Sequence, residues 1–235
     1  RRGLIRESPD DNALFAQAAE HYASNRVKGI ETLVVIPFWE EIERFNAEVR
    51  PALRRAGLLG DAEVTREAVK PLTWTDEQKI HWDQYRPGDR LLFARDTRFF
   101  KRGVAAEVVA VLPDGLRVRG PSGREAKITR RQRAAFDVGR AQSLAVSVGD
   151  RLLIRGREDD TGFTNGDCKE VAHVDPTVDR IVFTDGRELP RSFAAWTYGH
   201  ALTSYRSQGS TSEESLLVLG EVATRALARR QFYVG

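Results

Sequence analysis

Apolar residues recur along the first sixty positions at two different periods. The segment SPDDNALFAQAAEHYASNRVKG (8–29) opens with cap-forming side chains from Ser8 to Asn12, continues with alanine-rich helical spacing and closes at Gly29, which predicts a helix. ETLVVIPF (31–38) is a short, continuously apolar, β-branched run, as expected of a strand covered on both faces. In WEEIERFNAEVRPALRRAGLLG (39–60), Ile42, Phe45, Val49 and Leu53 return to helical spacing and Gly57 supplies a stop. Helix, buried strand and helix together predict an α/β layer.

The pattern then changes. EVTREAVKPL (63–72) reads as an extended segment, and TDEQKIHWDQY (75–85) as a short helix capped by Thr75 with Asp76 and Glu77 in its first turn. A strand-rich zone with an internal repeat follows. GDRLLFARDTRFFKRGVAAEVVAV begins at Gly88, and GDRLLIRGREDDTGFTNGDCKEVAHV at Gly149. From Phe100 and Phe163 onward the copies keep a constant offset, pairing Gly103 with Gly166, Glu107-Val108 with Glu170-Val171, Val111 with Val174, and the two Gly-Arg-Glu triplets at 123–125 and 186–188. The matches include apolar strand positions as well as glycines, which favours a duplicated structural unit over coincident turns. Each copy predicts three short strands at turn-limited spacing, the third ending at Gly-Arg-Glu, the pattern of a small barrel of the SH3 kind. The join between copies carries Arg130, Arg131 and Arg133, expected on a short helix. From Phe193 the α/β pattern returns, with the apolar strand SLLVLG (215–220) and the helix-like EVATRALARRQ (221–231).

Composition narrows the class. With 41% hydrophobic and 30% charged residues, the 235-residue chain fits a soluble globular protein. It contains no run of the roughly 18 apolar residues needed to cross a bilayer, so no membrane partner and a cytoplasmic location are expected. One cysteine, Cys168, excludes an internal disulfide, and the four histidines lack metal-ligand spacing. The chain contains no methionine, so it is expected to be a piece of a longer polypeptide. Net charge is only +3, but residues 86–140 hold 14 Lys/Arg against 6 Asp/Glu. Such a basic centre suggests a polyanionic partner, although an arginine-rich surface is the simpler reading of charge alone.

The densest chemistry lies in LTSYRSQGSTSEESLLVLG (202–220). Gly209 frees the backbone for a tight turn, hydroxyls of Thr203, Ser204, Ser207, Ser210 and Thr211 crowd it, and Gln208 both donates and accepts. As a bare pattern this is a structural turn; backed by a buried strand, such a turn can also hold phosphates, with Arg206 supplying charge. Trp39, Trp74, Trp82, Trp196 and His200 read as packing residues. Phe99, Phe100 and Phe163 could stack on bases, but an aromatic in a small barrel more often fills its core.

A family resemblance adds to this reading. ALTSYRSQGST resembles the Thr-x-x-x-Ser-Gln-Gly loop of RecD-like superfamily 1 helicases, with Thr203 and Ser207-Gln208-Gly209 carrying the match and Tyr205 standing where those proteins often have histidine. RRQFYVG resembles the start of the next helicase motif, and the chain ends before that motif's arginine. TLVVIPFWEEIERFNAEVRPALRRAGLLG resembles the first strand and helix of the second motor domain, although Pro37-Phe38 departs from the usual Pro-Thr. The segments from Trp74 and from Val148 are similar to the SH3-like insertion of MobF-type conjugative relaxases, which join a DNA-nicking domain to a helicase.

The resemblance implies a RecA-like parallel-sheet motor domain, residues 1–85 and 193–235, interrupted by two small SH3-like β-barrels, residues 86–140 and 141–192. It implies that Thr203, Ser204, Arg206, Ser207, Gln208 and Gly209 couple nucleotide state to single-stranded DNA. Arg98, Lys101, Arg102, Arg130, Arg131 and Arg133 are the expected phosphate contacts. ATP and Mg²⁺ would serve the full-length protein, together with the remaining motor domain of the parent chain. No Gly-Lys dipeptide occurs, so the phosphate-cradling loop Gly-x-x-x-x-Gly-Lys-[Ser/Thr] is missing. The fragment alone is therefore expected to bind neither cofactor and to carry no catalytic residue. The rival reading is a non-enzymatic nucleic-acid or protein-binding module built on the duplicated barrels.

Overall fold

Helix α1 (Asp11–Val27) starts where the Asp10 side chain accepts the Ala13 N–H at 2.8 Å and ends where Gly29, at φ 73°, turns the chain out; both ends match the cap chemistry in the sequence. The computed structural model describes residues 5–72, 74–158, 160–204 and 212–230. Helix α2 (Trp39–Arg55) carries Glu40 and Glu41 in its first turn and Arg54 and Arg55 in its last, a placement that complements the helix dipole. Phe15, Ala19 and Tyr22 of α1 meet Ile42, Phe45, Val49 and Leu53 of α2 in one buried core. Between the helices runs β1 (Thr32–Val35), whose Val34, with Ile36 just beyond it, enters the same core.

Both edges of β1 are occupied. Strand β12 (Glu214–Leu217) lies parallel to it in the register Thr32 to Glu214 through Val35 to Leu217. On the opposite edge Leu202 forms a parallel bridge to Val35, donating its N–H to Val34 O and accepting from Ile36 N–H, each at 2.9 Å. Helix α3 (Glu221–Arg230) follows β12. These segments form one compact unit, made of residues through Gly60 together with those from Tyr198 on; the other unit is Asp61–Thr197.

The second unit is built on two sheets. Six strands run in the order β2 (Glu63–Pro71), β7 (Phe136–Ser147), β3 (Asp89–Phe93), β4 (Ala105–Leu112), β5 (Gly115–Arg119), β6 (Glu125–Ile128), with antiparallel neighbours throughout. Four run in the order β10 (Arg180–Phe183), β9 (Cys168–Asp175), β8 (Arg151–Ile154), β11 (Trp196–Tyr198). Alternate residues point inward: Leu91, Phe93, Val108, Leu116, Val118, Ile128, Phe136 and Val138 fill the first core with Trp82, Tyr85 and Phe100. Leu152, Ile154, Phe163, Val171, Ile181 and Phe183 are buried in the second copy. Among the described residues, the recorded strand pairs do not close either sheet on itself.

The repeat recurs in the hydrogen bonds. Gly88 N–H donates to Val108 O and Gly149 N–H to Val171 O; Gly103 N–H donates to Phe93 O and Gly166 N–H to Ile154 O. Asp89 accepts from Arg86 N–H as Asp150 accepts from Ser147 N–H. The glycines in these pairs all take positive φ, between 80° and 106°, conformations that a β-carbon penalises.

Four features differ from the sequence expectation. Strand β2 belongs with the six-stranded sheet, because nine of its residues pair with β7; the units therefore divide at 60/61 and 197/198, where the pattern placed the boundaries at 85/86 and 192/193. Strand β7 runs through position 140, the expected limit between the copies. The predicted helix after Thr75 is two 3₁₀ turns, Gln78–Ile80 and Trp82–Gln84; Thr75 and Gln78 still exchange capping hydrogen bonds, which serve a 3₁₀ turn as well as a helix. The first Gly-Arg-Glu opens β6 rather than closing a strand.

Candidate nucleic-acid interface

Leu202 and Glu213 hold the two ends of the hydroxyl-rich segment on opposite edges of β1. The first end is the Leu202 bridge; at the other, Glu213 N–H and Glu214 N–H both donate to Glu31 O, at 3.0 and 3.1 Å. Thr203 is half-buried and Ser204 exposed at the segment's entry. Arg206, Ser207, Gln208 and Gly209 lie outside the described residues. At its exit Glu214 hydrogen-bonds His21 of α1, which holds the Glu214 carboxyl below the usual carboxylate range. Asn25 Nδ2 donates to Thr32 Oγ1 at 2.9 Å beside it, fixing the start of β1. His200 is buried, edge-on to Tyr22 at 6.0 Å between centroids, as expected of a packing residue.

The six expected phosphate contacts fall on two neighbouring pieces of the second unit. Arg98, Lys101 and Arg102 lie on the β3–β4 loop, and Arg130, Arg131 and Arg133 on a 3₁₀ helix, Arg130–Ala135, closed by a reciprocal Thr129–Gln132 cap. The end of the helix and the start of the loop are joined by Ala94 N–H donating to Ala135 O at 2.8 Å and by the pairing of Phe93 with Phe136. Arg98, Lys101, Arg130, Arg131 and Arg133 are exposed and Arg102 is half-buried. Among the described residues none of the six side chains forms an ion pair, although Asp96 accepts the Arg102 backbone N–H at 2.8 Å and Arg133 adds to the hydrogen bonds that lower the pKa of the Glu77 carboxyl. Arg98 lies over the Phe99 ring at 5.6 Å, and Arg133 Nη1 donates to Arg130 O at 3.4 Å. Arg130 and Arg131 also line a depression of about 440 Å³ with Pro113, Asp114 and Thr129. There Lys127 hydrogen-bonds Asp114 and lowers its pKa.

Unneutralised cations keep their full attraction for a polyanion, whereas paired ones must first give up a partner. The surface between β3 and β4 and at the 3₁₀ helix thus suits a phosphate backbone. Of the aromatic candidates, Phe100 is 5% and Phe163 0% exposed, so both fill cores and neither can stack on a base. Phe99 is half-buried, flanked by Arg98 and also by Arg124, whose guanidinium carbon lies 5.5 Å from the ring centroid. The sequence reading missed Arg124; its place in the repeated Gly-Arg-Glu was the available signal. Among the described residues, no group of three or more His, Cys, Asp and Glu side chains could hold a metal ion. No described helix is long and apolar enough to cross a membrane.

No family model matches the chain. Over 194 residues, 81% of this chain, it is 28% identical to the multifunctional conjugation protein TraI of Escherichia coli K12, and another E. coli TraI matches at 27%. The chain spans 11% of the length of these relatives. Among solved structures, Bacteroides Pif1 helicase in complex with ADP-AlF3 and ssDNA matches with a TM-score of 0.22 and 12% identity, over 92% of this chain and 44% of that one. Bacteroides Pif1 bound to ssDNA matches at 0.21 and 14%, with the same coverage. Scores this low leave the fold to rest on the strand pairings above. The sequence match shows kinship with a segment of the multifunctional conjugation protein TraI.

Proposed function

Proceeding from that kinship, we propose that this chain is part of the helicase region of a conjugative relaxase and couples nucleotide state to movement along single-stranded DNA. The observation that carries the proposal is the match to TraI along 81% of the chain. In this reading the first unit is the RecA-like second motor domain, and the repeats of the second unit are its SH3-like insertion. The hydrogen bonds of Leu202 and Glu213 on opposite edges of β1 support the assignment, because they fix both ends of the hydroxyl-rich stretch on one parallel layer.

The roles follow from the chemistry of each group. Thr203, Ser204, Ser207 and Gln208 offer hydroxyl and amide hydrogen bonds to phosphate, Gly209 allows close backbone approach, and Arg206 adds charge. Arg98, Lys101, Arg102, Arg130, Arg131 and Arg133 hold the strand backbone without reading its sequence. ATP and Mg²⁺ belong to the whole motor. When bound, they supply phosphoryl transfer, but the described residues do not fit a metal site and the chain lacks the Gly-Lys of a phosphate-cradling loop. This chain's part is to hold the DNA and to sense the nucleotide across a cleft shared with the other motor half.

The test is Gln208→Ala in the full-length polypeptide that carries this segment. Unwinding is expected to fall about tenfold relative to ATP hydrolysis, within the usual range of coupling between sites, with the circular dichroism spectrum retained. Unchanged rates for both activities would overturn the assignment of the loop.

A further inference from the structure

We infer that the two copies of the repeat have divided their roles: the phosphate-binding surface belongs to the first copy alone and includes Arg124, while the equivalent Arg187 has become a structural residue. The inference rests on the DNA-binding reading above. Under the repeat's constant offset, Arg124 and Arg187 occupy the same place in Gly-Arg-Glu, and each lies over an aromatic ring, Phe99 at 5.5 Å and Phe163 at 4.7 Å. Their electrostatic surroundings are opposite. Arg187 donates to Asp185 Oδ2 at 2.8 Å and to Gly162 O at 3.1 Å, and lies 3.8 Å from Asp167. The Arg187 guanidinium, reinforced by Lys169, holds the Asp185 carboxyl far below the usual carboxylate range. In the first copy the positions of Asp185 and Asp167 are taken by Ser122 and Val104. Arg124 consequently has no carboxylate partner among the described residues.

The same inversion extends over the neighbouring positions. Arg180 and Glu188 form an ion pair at 2.8 Å, but in the first copy Glu125 pairs with Arg119 instead, which leaves the equivalent Arg117 without a carboxylate among the described residues. The β3–β4 loop (94–104) holds four basic residues and one acidic; the β8–β9 loop (155–167) holds two basic and four acidic. A phosphate backbone approaching the first copy meets uncompensated positive charge, whereas at the second it meets paired arginines and a net negative loop. Arg98 and Arg124, from two different turns, converge on Phe99, so the first copy offers a cationic cluster on an apolar ring.

The test uses this chain with a fluorescent single-stranded oligonucleotide, titrated at several salt concentrations. Arg124→Gln is expected to weaken binding about fivefold and to make the slope of log K against log salt shallower by about 0.7, one phosphate contact on a single strand. Arg187→Gln should leave affinity and slope unchanged; should it unfold, Arg180→Gln takes its place in the comparison. Equal weakening by the first-copy and second-copy variants, or weakening by the second-copy variant alone, would overturn the division while leaving DNA binding intact. If the unaltered chain itself shows no salt-dependent binding, the DNA-binding reading falls and the division with it.

Discussion

Arg66→Met is expected to destabilise the second unit by about 3 kcal/mol, seen as a fall in Tm on the order of 8 °C. Arg66 on β2 is 6% exposed. Its Nε donates to Asp179 Oδ1 at 2.8 Å, its Nη1 to Leu189 O at 2.6 Å, and its Nη2 to Asp179 O. One side chain thereby ties the six-stranded sheet to the β9–β10 turn and to the segment after β10. Methionine fills similar volume but takes the donor from Leu189 O and leaves Asp179 O with only the 3.3 Å hydrogen bond from Arg191 Nε, and a buried acceptor stranded in this way costs about 1–3 kcal/mol. The Asp179 side chain is 44% exposed, so its charge can be taken up by water and contributes less. Asp179→Asn should therefore cost under about 1 kcal/mol. Melting of Arg66→Met within 2 °C or so of the unaltered chain would show that the tie is dispensable.

Reversing charge at three positions, Arg98→Glu, Lys101→Glu and Arg131→Glu together, is expected to weaken single-strand binding about a hundredfold at low salt. These residues are exposed and have no carboxylate partners among the described residues, so the substitutions break no described ion pair and should leave the melting temperature close to that of the unaltered chain. The loss comes from replacing attraction to phosphate by repulsion at three adjacent points. It should shrink steeply as salt is raised, because the Debye length falls to about 8 Å near 0.15 M. An affinity within about twofold of the unaltered chain would place the DNA surface elsewhere.

Local signals in the sequence were legible where the structure satisfies them locally. The helix–strand–helix start could be read because Asp10, Gly29 and Gly57 mark ends that depend only on neighbouring residues. The repeat could be read because equivalent glycines make the same turn hydrogen bonds in both copies. Pairings between distant residues left no such trace. Nothing in EVTREAVKP specifies that it should pair with residues 139–147, nor does a lone Arg66 announce a partner at Asp179. The candidate site divides in the same way. Its arginines could be counted from composition, but which of them remain free depends on the tertiary positions of Asp167, Asp185, Glu125 and Glu188. The six chosen cations were therefore legible as a basic cluster, while Arg124, hidden among many arginines, was not. For the Ser-Gln-Gly loop, only Thr203 and Ser204 lie within the described residues.

The salt dependence of single-strand binding by this chain is the most direct measurement. Six or seven phosphate contacts predict a slope of log K against log salt of about −4 to −5, and one shallower by about 2 in the triple reversal. A slope near zero, or one that the triple reversal does not change, would contradict a role for this segment in holding DNA.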